Sequence, residues 1–457
     1  MEFNSIYFIG AGGIGMAALE RYFLAQGKNV AGYDRTPSEL TQSLESEGVQ
    51  LTFDPDPELI PENFRDPKST LVVYTAAMPD DFVLLRWFRE RGFEVVKRAR
   101  VLGIITRQSK GLCFAGTHGK TTTSSMAAHI LHSAPVGCNA FLGGVLRNYG
   151  SNFLLSTTSP YSVIEADEFD RSFHQLSPYI AVVTSTDPDH LDIYGNEQNY
   201  LEGFAHFTSL ITAGGALVMH TGLKLKPRLA DGVRLYTYSR DAGDFHAERI
   251  RMGGGEIVFD LVTPWETITD ISLGVPVEIN IENAIAAMAA CRLVDAPADV
   301  MRQAIASFQG PKRRFEFWVK QPGNNGKVMV DDYAHHPQEL AASISSVRAL
   351  YPGRKITAIF QPHLYTRTRD FAPEFAAALS LADKVILLPI YPARELPIEG
   401  VDSQLILKDI TVADKALYSK QQLLEMIPKL DLDIVMTLGA GDIDRLLPDI
   451  ARLLQHK

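Results

Sequence analysis

Cysteine is scarce: Cys113, Cys138 and Cys291 are the only three in 457 residues, odd in number and widely spaced. That excludes a disulfide framework and gives no clustered zinc spacing. No apolar run approaches the roughly 18 residues that suggest a membrane span. The start of the chain, Glu2 followed by a strand-like run at 5–9, lacks the basic and apolar regions of a signal peptide. Positive charge is in deficit, with 44 Lys and Arg against 54 Asp and Glu and a net charge of −10. This argues against a nucleic-acid scaffold but leaves room for a local anion pocket. There is no short-period repeat and no low-complexity tract. With 46% hydrophobic and 21% charged residues, the chain is neither disordered nor fibrous. The expectation is a cytosolic protein without membrane insertion, of about three domains at roughly 150 residues each.

Strand-like runs at 5–9, 30–33 and 70–75 and a helix-spaced run at 14–24 predict a parallel sheet with crossover helices. The polar stretch Arg107-Gln108-Ser109-Lys110 sets the first expected boundary, and Gly310-Pro311 the second. The expected domains are therefore 1–107, 108–309 and 310–457. Strands are expected at 111–115, 161–164, 180–184 and 216–219, with a small antiparallel subsheet over 245–277 around Gly253-Gly254-Gly255. The last segment has strands at 327–330, 356–360, 384–388 and 434–437, again an α/β doubly wound pattern.

Gly10-Ala11-Gly12-Gly13-Ile14-Gly15 is a G-x-G-x-x-G between a strand and a helix. Such glycines let backbone amides approach a diphosphate at a positive helix N-terminus. Asp34 ends the next strand, 19 residues after Gly15, where a ribose-binding acid often sits. A nicotinamide dehydrogenase, another diphosphate ligand and a ligand-free turn are all compatible with this motif. Gly116-Thr117-His118-Gly119-Lys120-Thr121-Thr122 is more specific. Its turn exposes amides to phosphate oxygens, Lys120 suits the β- and γ-phosphates, and Thr121 suits Mg²⁺. It is a shortened phosphate loop, because Phe114 stands where the first glycine of the full pattern would be.

Two acidic clusters follow predicted strands: Glu165-Ala166-Asp167-Glu168, and Asp187-Pro188-Asp189-His190-Leu191-Asp192. Parallel strands deliver their tips to one sheet edge, so Glu165 and His190 are candidate metal ligands beside the loop. In Lys312-Arg313-Arg314, an arginine at a hinge is a candidate for the transferring phosphoryl group, against the alternative of a solvated cationic run. Asp331-Asp332-Tyr333-Ala334-His335-His336-Pro337 and Gln361-Pro362-His363-Leu364-Tyr365-Thr366-Arg367-Thr368-Arg369-Asp370 mix ionisable groups at strand tips, as a polar-substrate pocket requires. Gly439-Ala440-Gly441-Asp442 is read as a structural turn.

Over nearly its whole length the chain resembles the Mur ligases, on the Gly116–Thr122 loop, Glu165–Glu168 and the 331–337 stretch. Lys97-Arg98-Ala99-Arg100-Val101-Leu102 and the 361–370 stretch are most similar to the branch that adds L-alanine to UDP-N-acetylmuramate. The resemblance implies an N-terminal Rossmann-like domain for the UDP-sugar, a central P-loop ATPase-type domain and a C-terminal Rossmann-like domain for the amino acid. It implies Gly10, Gly12, Gly13, Ile14, Gly15, Asp34, Thr75, Ala76 and Arg98 at the UDP-sugar. ATP would meet 116–122, Asn283, Arg314 and Asp332, and L-alanine Tyr333, His335 and Arg367. Thr121, Glu165 and His190 would hold Mg²⁺, with Mn²⁺ the alternative, and Lys120, His190, Arg314 and His335 would serve catalysis.

Three positions depart from the family pattern. Ile279 replaces the usual His of the adenine-binding stretch, and Leu364 stands where the family often has Arg. Ala205 occupies the place of the carbamylated lysine of ligases that add later amino acids. The implied reaction is ATP-dependent amide formation through an acyl phosphate, by a monomer or weak homodimer. The alternatives are a ligase adding a preformed tripeptide, an NAD-dependent dehydrogenase, and a nucleotide-switched binding module.

Overall fold

The computed structural model describes residues 3–321, 323, 326–393 and 395–455; Glu2 and the side chain of Asp192 lie outside the described residues. The chain divides into two compact units, one of residues 1–248, 260–271 and 281–308, the other of 249–259, 272–280 and 309–457.

The first unit contains two sheets. Ser5–Ile9 is buried at every position, which is why it reads as a continuous apolar run rather than an alternation. It lies at the centre of a five-stranded sheet in the order Gln50–Thr52, Asn29–Tyr33, Ser5–Ile9, Thr70–Tyr74, Glu94–Lys97. All four pairings are parallel. The strand order reverses beside Ser5–Ile9, and a ligand crevice forms beyond the carboxyl ends of strands at such a switch point. The outer strands Gln50–Thr52 and Glu94–Lys97 are short and partly exposed, and so carry little apolar signal.

The second sheet has the order Arg234–Tyr238, Ala216–His220, Pro178–Val183, Lys110–Ala115, Tyr161–Glu165, Asn139–Leu146, Ser151–Leu154. Lys110–Ala115 is therefore flanked in parallel by Pro178–Val183 and Tyr161–Glu165. That placement brings the glycine loop after 115 and both acidic clusters to one edge. The terminal pair, Asn139–Leu146 with Ser151–Leu154, is antiparallel.

The polar stretch at 107–110 is not a break in the packing. Arg107 and Gln108 end the helix Arg98–Gln108, Ser109 caps it, and Lys110 begins the next strand. The helix Ile14–Ala25 also packs against the second sheet, with the Tyr22 ring 5.4 Å from Phe141 and 6.2 Å from Phe153. One apolar core, including Phe8, Phe23, Phe141 and Phe173, thus serves both sheets.

His246–Gly253, Glu256–Val262 and Thr267–Ser272 form a three-stranded sheet in that order, joined by short turns, where small strands were expected. In the second unit the sheet order is Glu316–Lys320, Val328–Asp332, Ile434–Leu438, Ile356–Phe360, Lys384–Leu387, Lys415–Leu417. It is parallel except for the edge strand Glu316–Lys320. That strand was not anticipated; its register with Val328–Asp332 shifts between Phe317 and Val319, which breaks the alternation. Among the described residues no helix is long and apolar enough to cross a membrane.

Candidate active site

The loop after Lys110–Ala115 depends on two glycines with left-handed backbone. Gly116 has φ 141°, and a Cβ there would lie 2.1 Å from Thr184 Oγ1. Gly119 has φ 82°, and a Cβ there would lie 2.8 Å from Asn283 Oδ1. No larger residue fits either position. Side chains from the neighbouring strand tip hold the loop: Thr184 Oγ1 donates to His118 O at 2.5 Å, and His118 N donates to Ser185 Oγ at 2.8 Å. Thr117 Oγ1 donates to Asp187 O at 2.7 Å and lies 2.9 Å from the Tyr200 hydroxyl. The His118 side chain is 73% exposed and 3.7 Å from Asp187. The helix Lys120–Ser133 begins directly after Gly119 with no acid in its first turn. Its free amides and dipole favour an anion.

Lys120 Nζ donates to Gly116 O and to Glu168 Oε1, each at 2.7 Å. Glu168 is 1% exposed. Burial pushes its carboxyl up, and the Lys120 ammonium pulls it back. Thr121 Oγ1 donates to Glu165 Oε1 at 2.9 Å, and Gly143 N donates to Glu165 Oε2 at 3.0 Å. Burial raises the Glu165 carboxyl against the opposing Thr121 bond and Lys120 charge. Thr122 follows, partly buried, in the first helical turn.

His190 opens the short helix Leu191–Tyr194. Its φ is 51°, its amide donates to Asp189 Oδ1 at 2.7 Å, and its ring lies 5.2 Å from the Phe169 ring. Among the described residues no three His, Cys, Asp or Glu side chains converge as a metal site. Asn283 stands against the phosphate-loop helix. Its Oδ1 accepts from Thr123 Oγ1 at 3.1 Å, so that acceptor braces the phosphate-loop helix.

A cleft of about 380 Å³ runs from Gly13, Ile14 and Gly15 past Thr75, Ala76 and Arg98 to Gly143, Glu165 and Asp167. A Cβ on Gly10, whose φ is 88°, would lie 2.6 Å from Thr75 Cγ2. Asp34 grips this loop from behind: Oδ2 accepts from Gly12 N at 2.7 Å and Oδ1 from Thr36 N at 3.2 Å. Arg98 lies so close over Gly15 that a Cβ there would be 2.1 Å from Nη1, while Nη2 is 3.7 Å from Asp167.

In the second unit the adjacent cations separate in role. Arg313 Nη1 and Nη2 donate to Gly441 O at 3.1 Å and Gly439 O at 2.6 Å, and Nε donates to buried Asp331 at 3.3 Å. The turn at 439–442 is thereby structural. Arg314 is exposed. Asp332, beside it, has its carboxyl raised by burial.

Tyr333 lies with its ring 5.1 Å from the Arg313 guanidinium. His335 Nδ1 is 2.9 Å from Tyr333 O, and its amide donates to Glu339 at 2.9 Å. Its ring is 6.2 Å from that of His363, which stacks on Tyr391. His363 Nδ1 and Arg367 Nη1 are buried without a hydrogen-bond partner. Burial, with the Arg367 charge adding to it, holds the His363 pKa below the ordinary range. Sequence reasoning singled out neither Glu168 nor His363, although both lie inside motifs it quoted.

A phosphate loop and a carboxylate at one sheet edge, beside a glycine-lined cleft, define a nucleotide-using enzyme. The sequence matches the Mur ligase family, catalytic domain, over residues 5–110; the Mur ligase middle domain over 114–291; and the Mur ligase, glutamate ligase domain, over 313–441. It is 58% identical over 455 residues to the UDP-N-acetylmuramate–L-alanine ligase of Phocaeicola vulgatus, covering 99% of each chain. It is 56% identical to the ligase of that name from Parabacteroides distasonis, covering 99% of this chain and 97% of the relative. The crystal structure of UDP-N-acetylmuramate–alanine ligase from Thermotoga maritima matches with a TM-score of 0.79 at 25% identity, covering 99% and 98% of the two chains. The chain belongs to the Mur ligase family, three α/β domains in one enzyme. This sets aside both the dehydrogenase and the binding-module readings of the glycine motifs.

Proposed function

We propose that this enzyme joins L-alanine to the lactyl carboxylate of UDP-N-acetylmuramate, with conversion of ATP to ADP and phosphate, in peptidoglycan precursor synthesis. The observation that carries this reading is the cleft from the Gly13–Gly15 loop to Glu165, whose carboxylate accepts the Thr121 hydroxyl of the phosphate loop. A sugar diphosphate and the phosphates of ATP would therefore address neighbouring residues. The names of the two bacterial relatives supply the identity of the amino acid.

A carboxylate resists amide formation because oxide is a very poor leaving group. Transfer of the γ-phosphoryl group to the lactyl carboxylate gives an acyl phosphate, and the neutral amine of alanine displaces phosphate through a tetrahedral intermediate. Lys120 and the loop amides from 116 to 122 offset the phosphoryl charge. Gly10, Gly12, Gly13, Ile14, Gly15, Asp34, Thr75, Ala76 and Arg98 receive the UDP-sugar, and Asp34 also shapes the loop through Gly12.

Thr121 and Glu165, a hydroxyl and a carboxylate already in contact, are hard oxygen donors that fit Mg²⁺ or Mn²⁺; family resemblance adds His190. When bound, the cation supplies charge neutralisation at the phosphates. Resemblance also carries the assignments of Asn283, Arg314 and Asp332 to ATP and of Tyr333, His335 and Arg367 to alanine. Domain limits of 1–107, 108–309 and 310–457 and a cytoplasmic location belong to the same reading.

Phosphate release is to be measured with UDP-N-acetylmuramate and ATP, with and without L-alanine, and with the tripeptide as competitor. Release that requires L-alanine is expected. Release driven only by the tripeptide would replace this reading with the recycling ligase.

A further inference from the structure

The acidic cluster after Tyr161–Glu165 presents three carboxylates, and the mechanism above uses one of them. Glu168 is the deepest, at 1% exposure. One carboxylate oxygen meets Lys120 Nζ at 2.7 Å, and the other, also buried, has no hydrogen-bond partner. Its backbone is held as well: the Tyr194 hydroxyl donates to Glu168 O at 2.7 Å. Tyr194 packs edge-on against Tyr200, whose hydroxyl is 2.9 Å from Thr117 Oγ1. Glu168 thus touches the phosphate loop directly at Lys120 and, through two buried tyrosines, at Thr117.

We propose that Glu168 is a positioning residue for phosphoryl transfer, acting through Lys120 rather than on substrate. A lysine stem is flexible and its ammonium has three donors. Gly116 O and Glu168 Oε1 take two of them, which fixes the nitrogen at the mouth of the loop and leaves the third for a phosphate oxygen. A lysine that abandoned Glu168 on binding ATP would strand a buried carboxylate, at a cost larger than one phosphate contact returns. Lys120 therefore keeps this partner throughout the reaction, and Glu168 sets the direction of the positive charge.

The inference rests on the ATP-dependent reading above, and a double-mutant cycle on the full-length enzyme tests it separately. ADP formation is followed for the wild type, Glu168→Gln, Lys120→Ala and the double variant, with ATP varied at saturating UDP-N-acetylmuramate and L-alanine. Glu168→Gln is expected to lower kcat about tenfold while KM for ATP moves less than about threefold, and Lys120→Ala to lower kcat about a hundredfold. The double variant should match Lys120→Ala within about twofold, because both changes act through one ammonium. Glu168→Asp, which keeps the charge, should recover part of the loss.

A double variant a further tenfold below Lys120→Ala would overturn the proposal, as would Glu168→Gln with wild-type kcat. If Glu168→Gln does not fold, Glu168→Asp takes its place in the cycle, and a Glu168→Asp, Lys120→Ala double variant a further tenfold below Lys120→Ala would also overturn the proposal. Wild-type enzyme that forms no ADP would instead refute the functional reading itself.

Discussion

The hydroxyl of Thr121 and the carboxylate of Glu165 meet at 2.9 Å, although 44 residues separate them in sequence. The contact exists because Tyr161–Glu165 lies directly beside Lys110–Ala115 in parallel register, with Phe114 opposite Glu165. It joins the phosphate loop to the far end of the cleft that begins at Gly13.

Changing Glu165 to Gln keeps the shape of this contact and removes its charge. The Mg²⁺ concentration giving half-maximal turnover should rise about tenfold or more, the loss of roughly 1.5 kcal/mol expected for one charged contact. Titration of Mg²⁺ at fixed ATP measures it. An unshifted midpoint would remove Glu165 from the metal assignment.

Arg313 and Arg314 should part company in experiment. Asp331 is fully buried, and burial holds its carboxyl up at about 6 even with Arg313 and Thr437 pulling it down. Arg313→Ala leaves that carboxylate without its cation and should destabilise the second unit by about 3 kcal/mol. Arg314→Ala, at an exposed position, should leave the melting transition in place and lower kcat. Thermal melts beside steady-state rates separate the two, and equal melting losses would contradict the division.

Glu20 gives a pH signature unrelated to catalysis. It is fully buried and both carboxylate oxygens lack partners; burial drives its pKa well above the ordinary range, outweighing the opposing Arg21 charge. The folded chain keeps this proton after the unfolded chain has released it at about pH 4.3. Wild-type stability should therefore fall as pH rises from there toward the folded pKa. Glu20→Gln removes that decline, so its advantage over wild type should grow between pH 5 and 8. Parallel denaturation curves for the two proteins across that range would show the acid to be ionised in the fold.

Arg367 has a buried guanidinium nitrogen without a partner. A carboxylate in a partly dry pocket would satisfy it, contributing about 1.5–3 kcal/mol. Arg367→Ala should raise KM for L-alanine about ten- to a hundredfold and leave KM for ATP within about twofold. A rise shared by all three substrates would mean that Arg367 only braces its loop.

The central strands were legible because burial on both faces writes an uninterrupted apolar run, as in Ser5–Ile9 and Ile356–Phe360. The phosphate loop was legible because only glycine tolerates the backbone at 116 and 119. Short edges such as Gln50–Thr52 carry no such mark. Neither does the choice among neighbours of like charge: nothing in Glu165-Ala166-Asp167-Glu168 says which carboxylate meets Thr121 and which Lys120. The same holds for Arg313 and Arg314. Those choices depend on which side of a strand tip each residue leaves the sheet, a matter of a single peptide's rotation.

The uninterrupted passage from the helix Arg98–Gln108 into the strand Lys110–Ala115 bears on how this enzyme is dissected in the laboratory. A fragment cut at 107 would end inside the helix and expose the side of Ile14–Ala25 where Tyr22 packs on Phe141 and Phe153. Such a piece would be sticky in solution and poorly suited to ligand titration. The smallest fragment that keeps this apolar face covered extends through the seven-stranded sheet.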